Sequence, residues 1–259
     1  MNSLPLAATL AELRECEQLK HFLNTARHAT ILTGAGISAE SGIPTFRDAL
    51  TGLWERFEAG DLATANAFRN DRDLVWGWYE WRRMLVLRAK PNPGHLAIAR
   101  LTELVPKLTL ITQNVDDLHE RAGSRDVLHL HGSLFAPRCF ACARPHTFTH
   151  EPDEPEGGRR LKPPRCLHCG GYVRPGVVWF GEALPQDAIT AAIQAVKECD
   201  LMLVVGTSGI VHPAATLPDM AKKRGVKVIQ VNPHPTELDA VCDLNIRAPA
   251  SALWDSLFS

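Results

Sequence analysis

The sequence predicts an α/β fold, a doubly wound parallel sheet with a smaller inserted domain, and three observations carry that prediction. Short runs of apolar and β-branched residues alternate along the chain with segments of helical period. Each run ends in small or polar residues, as a strand does where it hands the chain to a turn. Two stretches, 44–91 and 133–178, interrupt the alternation, the first rich in Trp and Arg and the second in Pro, Cys and Gly.

The elements follow in order. Leu10, Leu13, Leu19 and Phe22 are spaced as one face of a helix. Ala29-Thr30-Ile31-Leu32-Thr33 then reads as a short buried strand that runs at once into a glycine turn. Further buried strands are expected at Leu108-Thr109-Leu110-Ile111-Thr112, Leu201-Met202-Leu203-Val204-Val205 and Val226-Lys227-Val228-Ile229-Gln230-Val231. Helical patterns at 94–105, 186–198 and 213–224 lie between them, the alternation of a parallel sheet covered on both faces. Such sheets bind ligands beyond the carboxyl ends of their strands. Gly34-Ala35-Gly36, Gln113-Asn114-Val115-Asp116, Gly206-Thr207-Ser208 and Asn232-Pro233 are therefore expected to line one crevice. The interruptions read as insertions, so 1–43, 92–132 and 179–259 make one discontinuous domain, and 44–91 with 133–178 a smaller one. The run from Glu151 to Gly158 is too polar to bury a core and reads as an exposed loop.

At 259 residues, 45% of them hydrophobic, the chain can bury one large core and still carry a small module. Its 28 basic and 29 acidic residues leave a formal charge of −1, which offers no positive field to nucleic acid or anionic lipid. No apolar run reaches the roughly 18 to 20 residues of a membrane span, and Met1-Asn2-Ser3-Leu4-Pro5 lacks the basic start of a signal peptide. A cytoplasmic protein is expected.

Four of the seven cysteines form two pairs, Cys139-Phe140-Ala141-Cys142 and Cys166-Leu167-His168-Cys169, with 23 residues between them. In a reducing compartment this pattern points to a metal rather than to disulfides. Four thiolates complete a tetrahedral zinc and leave no position for water or substrate. The expected ion is structural and replaces the core that a small module lacks. Cys16, Cys199 and Cys242 read as buried thiols.

Gly34-Ala35-Gly36-Ile37-Ser38-Ala39 fits the G-x-G-x-x-G/A dinucleotide fingerprint, in which glycines admit a pyrophosphate to the backbone at a helix N-terminus. A plain strand-to-helix turn needs glycine as well. A dehydrogenase would continue into a second strand and an acidic ribose ligand about 20 residues on. Here Ser41-Gly42-Ile43-Pro44-Thr45-Phe46-Arg47-Asp48 follows instead, and Pro44 breaks any continuous helix. That argues against hydride transfer with the usual nucleotide geometry.

In order along the chain, Gly34-Ala35-Gly36-Ile37-Ser38, Gly42-Ile43-Pro44-Thr45-Phe46-Arg47, Thr112-Gln113-Asn114-Val115-Asp116 and His131-Gly132-Ser133 resemble sirtuin motifs. The cysteine pairs, Val177-Val178-Trp179-Phe180-Gly181-Glu182, Gly206-Thr207-Ser208 and Val231-Asn232-Pro233 complete the set over about residues 20–249. The resemblance implies a large Rossmann-type domain and a smaller zinc-binding domain, with NAD and an extended acyl-lysine peptide meeting between them. It implies an NAD-dependent protein lysine deacylase that transfers the acyl group to ADP-ribose and releases nicotinamide.

The resemblance also implies roles. Gly34, Ala35, Gly36, Ser38, Gln113, Gly206 and Thr207 line the NAD site, and Ser208 and Asn232 hold its adenosine half. Asn114 holds the nicotinamide ribose and Asp116 the carboxamide, although both residue types also favour caps and turns. Phe46 and Arg47 cover the pyrophosphate and ribose, with an exposed aromatic and a surface salt bridge as the plainer reading. His131 is the base that acts on the ribose, a task suited to an ordinary imidazole pKa near 6.5. His129, where many relatives have an acid, shares a strand face with it. Val178, Phe180 and Gly181 receive the peptide as an added strand. Gly209 stands where many relatives carry a larger residue.

Tyr79-Glu80-Trp81-Arg82 lies on a helix expected to begin near Leu74, so Tyr79 and Arg82 project on one face. The pair resembles the Tyr-x-x-Arg motif of the sirtuins that remove succinyl and malonyl groups, and Ala59 resembles the small residue that widens their acyl pocket. An arginine fork and a phenol can together bind a carboxylate that a neutral acetyl group lacks. A solvated arginine beside a core tyrosine would account for the same letters, and Arg83 is a competitor at i+4. The expected function is removal of succinyl and malonyl groups, with deacetylase activity, from acylated-lysine proteins or peptides. The alternatives are a mainly acetyl-lysine enzyme, or an NAD-binding ADP-ribosyltransferase or sensor.

Overall fold

The computed structural model of the chain describes residues 10–45, 55, 57–149, 151, 152 and 157–258, with side chains from Arg14 onward. Helix α1 (Leu10–Thr25) buries Leu19 and Leu23 and leads into β1 (His28–Thr33), of which every residue is buried. The glycine turn opens the short α2 (Gly36–Ala39). A helical insert follows as α3 (Ala59–Leu62), α4 (Ala65–Asn70) and α5 (Arg72–Arg88). Side-chain caps start the last two: Thr64 accepts from the Ala67 amide at 3.0 Å and Asp71 from the Leu74 amide at 3.2 Å. Helix α6 (Pro93–Arg100) begins at Asn92, which forms a capping box with His95 and is followed by proline.

The chain continues through β2 (Lys107–Thr112), α7 (Leu118–Arg121), β3 (Leu128–His129), β4 (Gly132–Cys139) and β5 (Val173–Val177). It closes with α8 (Gln186–Glu198), β6 (Leu201–Val205), α9 (Leu217–Lys223), β7 (Lys227–Val231), β8 (Leu244–Ile246) and α10 (Ala252–Phe258). Six strands pair in parallel in the order β3-β2-β1-β6-β7-β8, a doubly wound sheet whose order reverses between β1 and β6. One face packs Ile31, Leu203 and Ile229 against Leu23, Ile98 and Leu253 of α1, α6 and α10. The other packs Leu32, Val204 and Val228 against Ala192, Val196 and Leu217 of α8 and α9. A separate aromatic cluster joins Phe68, Trp76, Trp78 and Trp179 with Leu134 of β4 and Val173 of β5.

The four expected strands are present to within a residue or so of the positions read from the sequence. The helix expected at 94–105 stops at Arg100 and tightens into a 3-10 turn, Leu101–Glu103, and the one expected at 213–224 opens with such a turn, Ala214–Thr216. The antiparallel pair β4 and β5 gave no strand signal because Gly132, Pro137, Pro175 and Gly176 break it. Glycine is needed there: a Cβ on Gly176 would stand 1.8 Å from the Ala136 carbonyl oxygen. Of the three thiols expected to be buried only Cys199 is; Cys16 and Cys242 are half-buried, on the outer helix α1 and in the loop before β8. No described helix is long and apolar enough to cross a membrane.

Candidate functional site

At the reversal point the ends of β1 and β6 close on each other. The Gly34 amide donates to the Val205 carbonyl at 3.0 Å and the Gly36 amide to the Gly206 carbonyl at 2.8 Å. A Cβ on Gly34 would meet Thr207 Cβ at 2.7 Å, one on Gly36 the Gly206 oxygen at 2.7 Å, and one on Gly206 the Ile37 nitrogen at 2.4 Å. The glycines are thus required by backbone packed against backbone, before any ligand is considered. Thr207 ties in the neighbouring ends: its hydroxyl accepts from Gln113 Nε2 at 2.9 Å and its carbonyl from Asn232 Nδ2 at 3.1 Å. Ala35 and Ser208 are half-buried beside them. Gly209, at φ +73°, would place a Cβ 2.5 Å from Leu238 Cγ, which accounts for the absence of a larger residue.

A buried polar centre lies behind this seam. Ser38 donates to Asp116 Oδ2 at 3.0 Å and accepts from Asn114 Nδ2 at 3.1 Å. The Leu118 amide donates to Asp116 Oδ1 at 3.2 Å. Burial raises the Asp116 carboxyl pKa, and these two hydrogen bonds oppose the rise. Two histidines that sequence reasoning did not single out complete the centre. His95 stands 3.4 Å from Ser38 Oγ, and His119 Nε2 is 2.9 Å from Thr33 Oγ1, with the two rings 4.9 Å apart. Burial lowers His95 to about 4 and His119 to about 3, so both are neutral. Asn92 reaches the same region, donating to the Ile37 carbonyl at 2.7 Å and to Ser41 Oγ at 3.0 Å. Its Asn-Pro-Gly-His setting is a visible helix start. Nothing in that pattern says where the cap points.

His131 Nδ1 lies 2.9 Å from the Gln113 carbonyl. A carbonyl only accepts, so the proton sits on Nδ1 and Nε2 keeps its lone pair. Burial lowers this histidine's pKa. The His131 carbonyl in turn accepts from the Val178 amide at 2.8 Å, which joins His131 to the 178–182 turn. That turn is held from behind by Arg174, buried against the Trp179 ring at 3.4 Å and bonded to both Glu182 oxygens at 2.5 and 3.0 Å. Phe180 is 55% exposed, its amide donates to the Ala63 carbonyl at 3.0 Å, and Gly181 follows at φ +83°.

A pocket on α5 is lined by Ile43, Ala59, Trp78, Trp81, Arg82 and Leu85, together with Pro44, Thr45 and Val86. The Arg82 guanidinium lies 5.0 Å from the Trp78 ring and 5.9 Å from that of Tyr79. Burial lowers the Arg82 pKa, and Tyr79 and Asp116 oppose the fall. Tyr79 packs beside the lining, its hydroxyl accepting from Trp179 Nε1 at 3.0 Å, and burial pushes its pKa up to about 12. Arg83 turns the other way, into a buried pair with Glu80 at 2.8 Å and over the Phe148 ring at 3.6 Å. Phe46 and Arg47 lie outside the described residues.

The sulfurs of Cys139, Cys142, Cys166 and Cys169 all lie within 4.8 Å of one another, with Cys139–Cys169 at 3.5 Å and Cys142–Cys166 at 3.8 Å. A tetrahedral zinc with sulfur at about 2.3 Å sets its ligands about 3.8 Å apart, so the four fit one ion. Backbone amides of Cys169 and His168 lower the Cys166 thiol to about 6, favouring the thiolate a metal needs.

A family model described as the Sir2 family matches residues 34–213. A protein of Methylococcus capsulatus named NAD-dependent protein deacylase is 60% identical over 242 residues, 93% of this chain and 95% of the relative. Among solved structures, a Sir2 homologue in complex with NAD superposes with a TM-score of 0.84 at 44% identity, over 93% of this chain and 91% of that one. A complex described as Sir2–p53 peptide–NAD+ gives 0.78 at 32% identity, over 92% and 95%.

Proposed function

The chain belongs to the Sir2 family and is an NAD-dependent protein deacylase, and we propose that it acts by preference on lysines bearing acidic acyl groups, succinyl and malonyl, while accepting acetyl. The observation that carries this reading is the cation of Arg82 in the wall of a mostly apolar pocket that the small Ala59 also lines. Burial has taken this guanidinium out of water, and a carboxylate bound in the pocket would add a charge-assisted bond to it. Tyr79 supplies a second donor, since its oxygen already accepts from Trp179 and its proton remains to be given.

Bound NAD supplies the electrophilic ribose carbon and the nicotinamide leaving group. In our reading Gly34, Ala35, Gly36, Gly206 and Thr207 receive its phosphates, and Ser208 and Asn232 its adenosine half. Asn114 and Asp116, locked together through Ser38, orient the nicotinamide ribose and carboxamide. His131 Nε2 takes the proton of a ribose hydroxyl, because its other nitrogen is held by Gln113 and burial keeps the ring neutral near pH 7. Val178, Phe180 and Gly181 receive the acyl-lysine peptide alongside the 178–182 turn. Phe46 and Arg47 would cover the nucleotide.

Cys139, Cys142, Cys166 and Cys169 would hold one structural zinc that joins the far ends of β4 and β5. We take 1–43, 92–132 and 179–259 as the nucleotide-binding domain and 44–91 with 133–178 as the smaller one; most of the aromatic cluster around α5, β4 and β5 falls in the smaller one, while Ile43, Leu118 and Trp179 join it from the larger. A reducing cytoplasm suits a chain whose seven cysteines form no disulfide. The test is one lysine peptide carrying acetyl, succinyl or malonyl, with nicotinamide release followed in each case. A kcat/KM for succinyl and malonyl at least about tenfold above acetyl, the value of one charge-assisted bond, is expected. Equal or inverted values would reject the acidic preference, and release independent of any acyl peptide would favour a sensor or ADP-ribosyltransferase.

A further inference from the structure

We propose that His129 is a positioning residue for the nicotinamide half of the site: its ring bridges the Asn114 carbonyl and the Glu120 carboxylate and fixes the backbone that carries Asn114 and Asp116. The inference rests on the reading of Asn114 and Asp116 given above. The two residues of β3 alternate. Leu128 packs into the apolar cluster with Ile189, Ala192 and Val196 of α8, so His129 turns the other way, toward the 113–117 loop and α7. Its Nδ1 lies 3.1 Å from the Asn114 carbonyl and its Nε2 2.6 Å from Glu120 Oε1. With His131 on the Gln113 carbonyl at 2.9 Å, two histidines grip successive carbonyls of one loop.

The two grips differ in chemistry. His131 needs a single proton, on Nδ1. His129 faces an acceptor at each nitrogen, since a carbonyl and an ionised carboxylate can only accept, and both contacts are made together only by the doubly protonated ring. The groups that face it favour that form: Glu120 from α7 and Asp116 from the loop are acidic, while His119, also from α7, is held neutral by burial. The neighbouring strand brings the uncharged Thr112, which pairs with His129 in register. The pKa of His129 is raised above its ordinary value, against its own burial. The sign follows. Below that pKa both bonds stand; as pH rises through it one proton leaves, and either Asn114 or Glu120 loses its donor. The hold on the loop therefore weakens on the alkaline side, whereas the base His131 fails on the acid side.

The experiment measures the Kd for NAD by calorimetry, and nicotinamide release with acyl peptide, between about pH 6 and about pH 9, the range over which a histidine titrates. Wild type, Glu120→Gln and His129→Gln are compared as full chains. In the wild type the Kd is expected to rise by about fivefold through an alkaline step, the worth of one net hydrogen bond. Glu120→Gln moves the step to lower pH, because the carboxylate that holds the proton is gone. His129→Gln removes the step, since a neutral amide donates to the Asn114 carbonyl at every pH, and leaves the acid limb of turnover set by His131. Superimposed Kd profiles in all three proteins, a step moved upward in Glu120→Gln, or a step persisting in His129→Gln would overturn the proposal. Failure of the activity reading would show separately, as no nicotinamide release with any acyl peptide, while the Kd profiles still decide the role of His129.

Discussion

Replacing Arg82 by methionine tests the acyl pocket most directly. Methionine approximates the apolar stem of the arginine and removes the guanidinium that lies 5.0 Å from the Trp78 ring. A hydrogen bond to a charged group contributes about 1.5 to 3 kcal/mol, so kcat/KM for succinyl-lysine should fall about 10- to 150-fold. Acetyl-lysine, with no carboxylate to lose a partner, should be largely spared. Tyr79→Phe removes a neutral donor and should reduce succinyl activity by about 2- to 10-fold. Arg83→Met is the control. Arg83 and Glu80 are both buried and paired at 2.8 Å, so this change leaves a carboxylate unpartnered by its cation and should cost about 3 to 5 kcal/mol of stability. Its melting temperature should drop, and both activities should fall in step. The assay is steady-state nicotinamide release on succinyl and acetyl forms of one peptide. If Arg82→Met lowers both activities equally, or only Arg83→Met discriminates against succinyl, the pocket assignment is wrong.

His131→Ala should keep the fold and NAD binding but lose roughly 10²-fold or more in turnover; wild-type-like turnover would refute the role. Because burial lowers the His131 pKa, its ring stays neutral down to below pH 6.5 and the acid limb of wild-type turnover should lie there; a limb above pH 7 would contradict the proposed role. Cys142→Ser should release zinc and destabilise the small module, since such a site contributes folding energy directly. Unchanged metal content and melting temperature would count against it. His95 and His119 titrate near 6.5 when unfolded but at about 4 and about 3 in the fold. Their contribution is fully present above about pH 6.5 and is lost as pH falls toward 4, at up to about 1.4 kcal/mol per pH unit for each. Urea midpoints should therefore fall between about pH 6.5 and 5 and fall less steeply in His119→Gln; a flat wild-type profile would reject the assignment.

Much of the molecule was legible from residues alone. The strands β1, β2, β6 and β7 announce themselves because a strand buried on both faces is predominantly apolar, and Leu201-Met202-Leu203-Val204-Val205 fits no exposed element. The four cysteines read as one site because thiolate chemistry demands that spacing. Strands β3 and β8, of two and three residues, are too short to show a period, and β4 and β5 hide theirs behind proline and glycine. The site divides in the same way. Gly34, Asn114, Asp116 and His131 belong to local motifs and were visible, but their junction is not local. Ser38 joins Asn114 and Asp116 across more than seventy residues, and His95 and His119 enter the same centre from α6 and α7. Sequence spacing left Arg82 and Arg83 as rivals one position apart. The rotation of α5 against Phe148, Leu134 and Trp179 turned one into the pocket and left the other to pair with Glu80 of the same helix, and a helix acquires that rotation only from what it packs against.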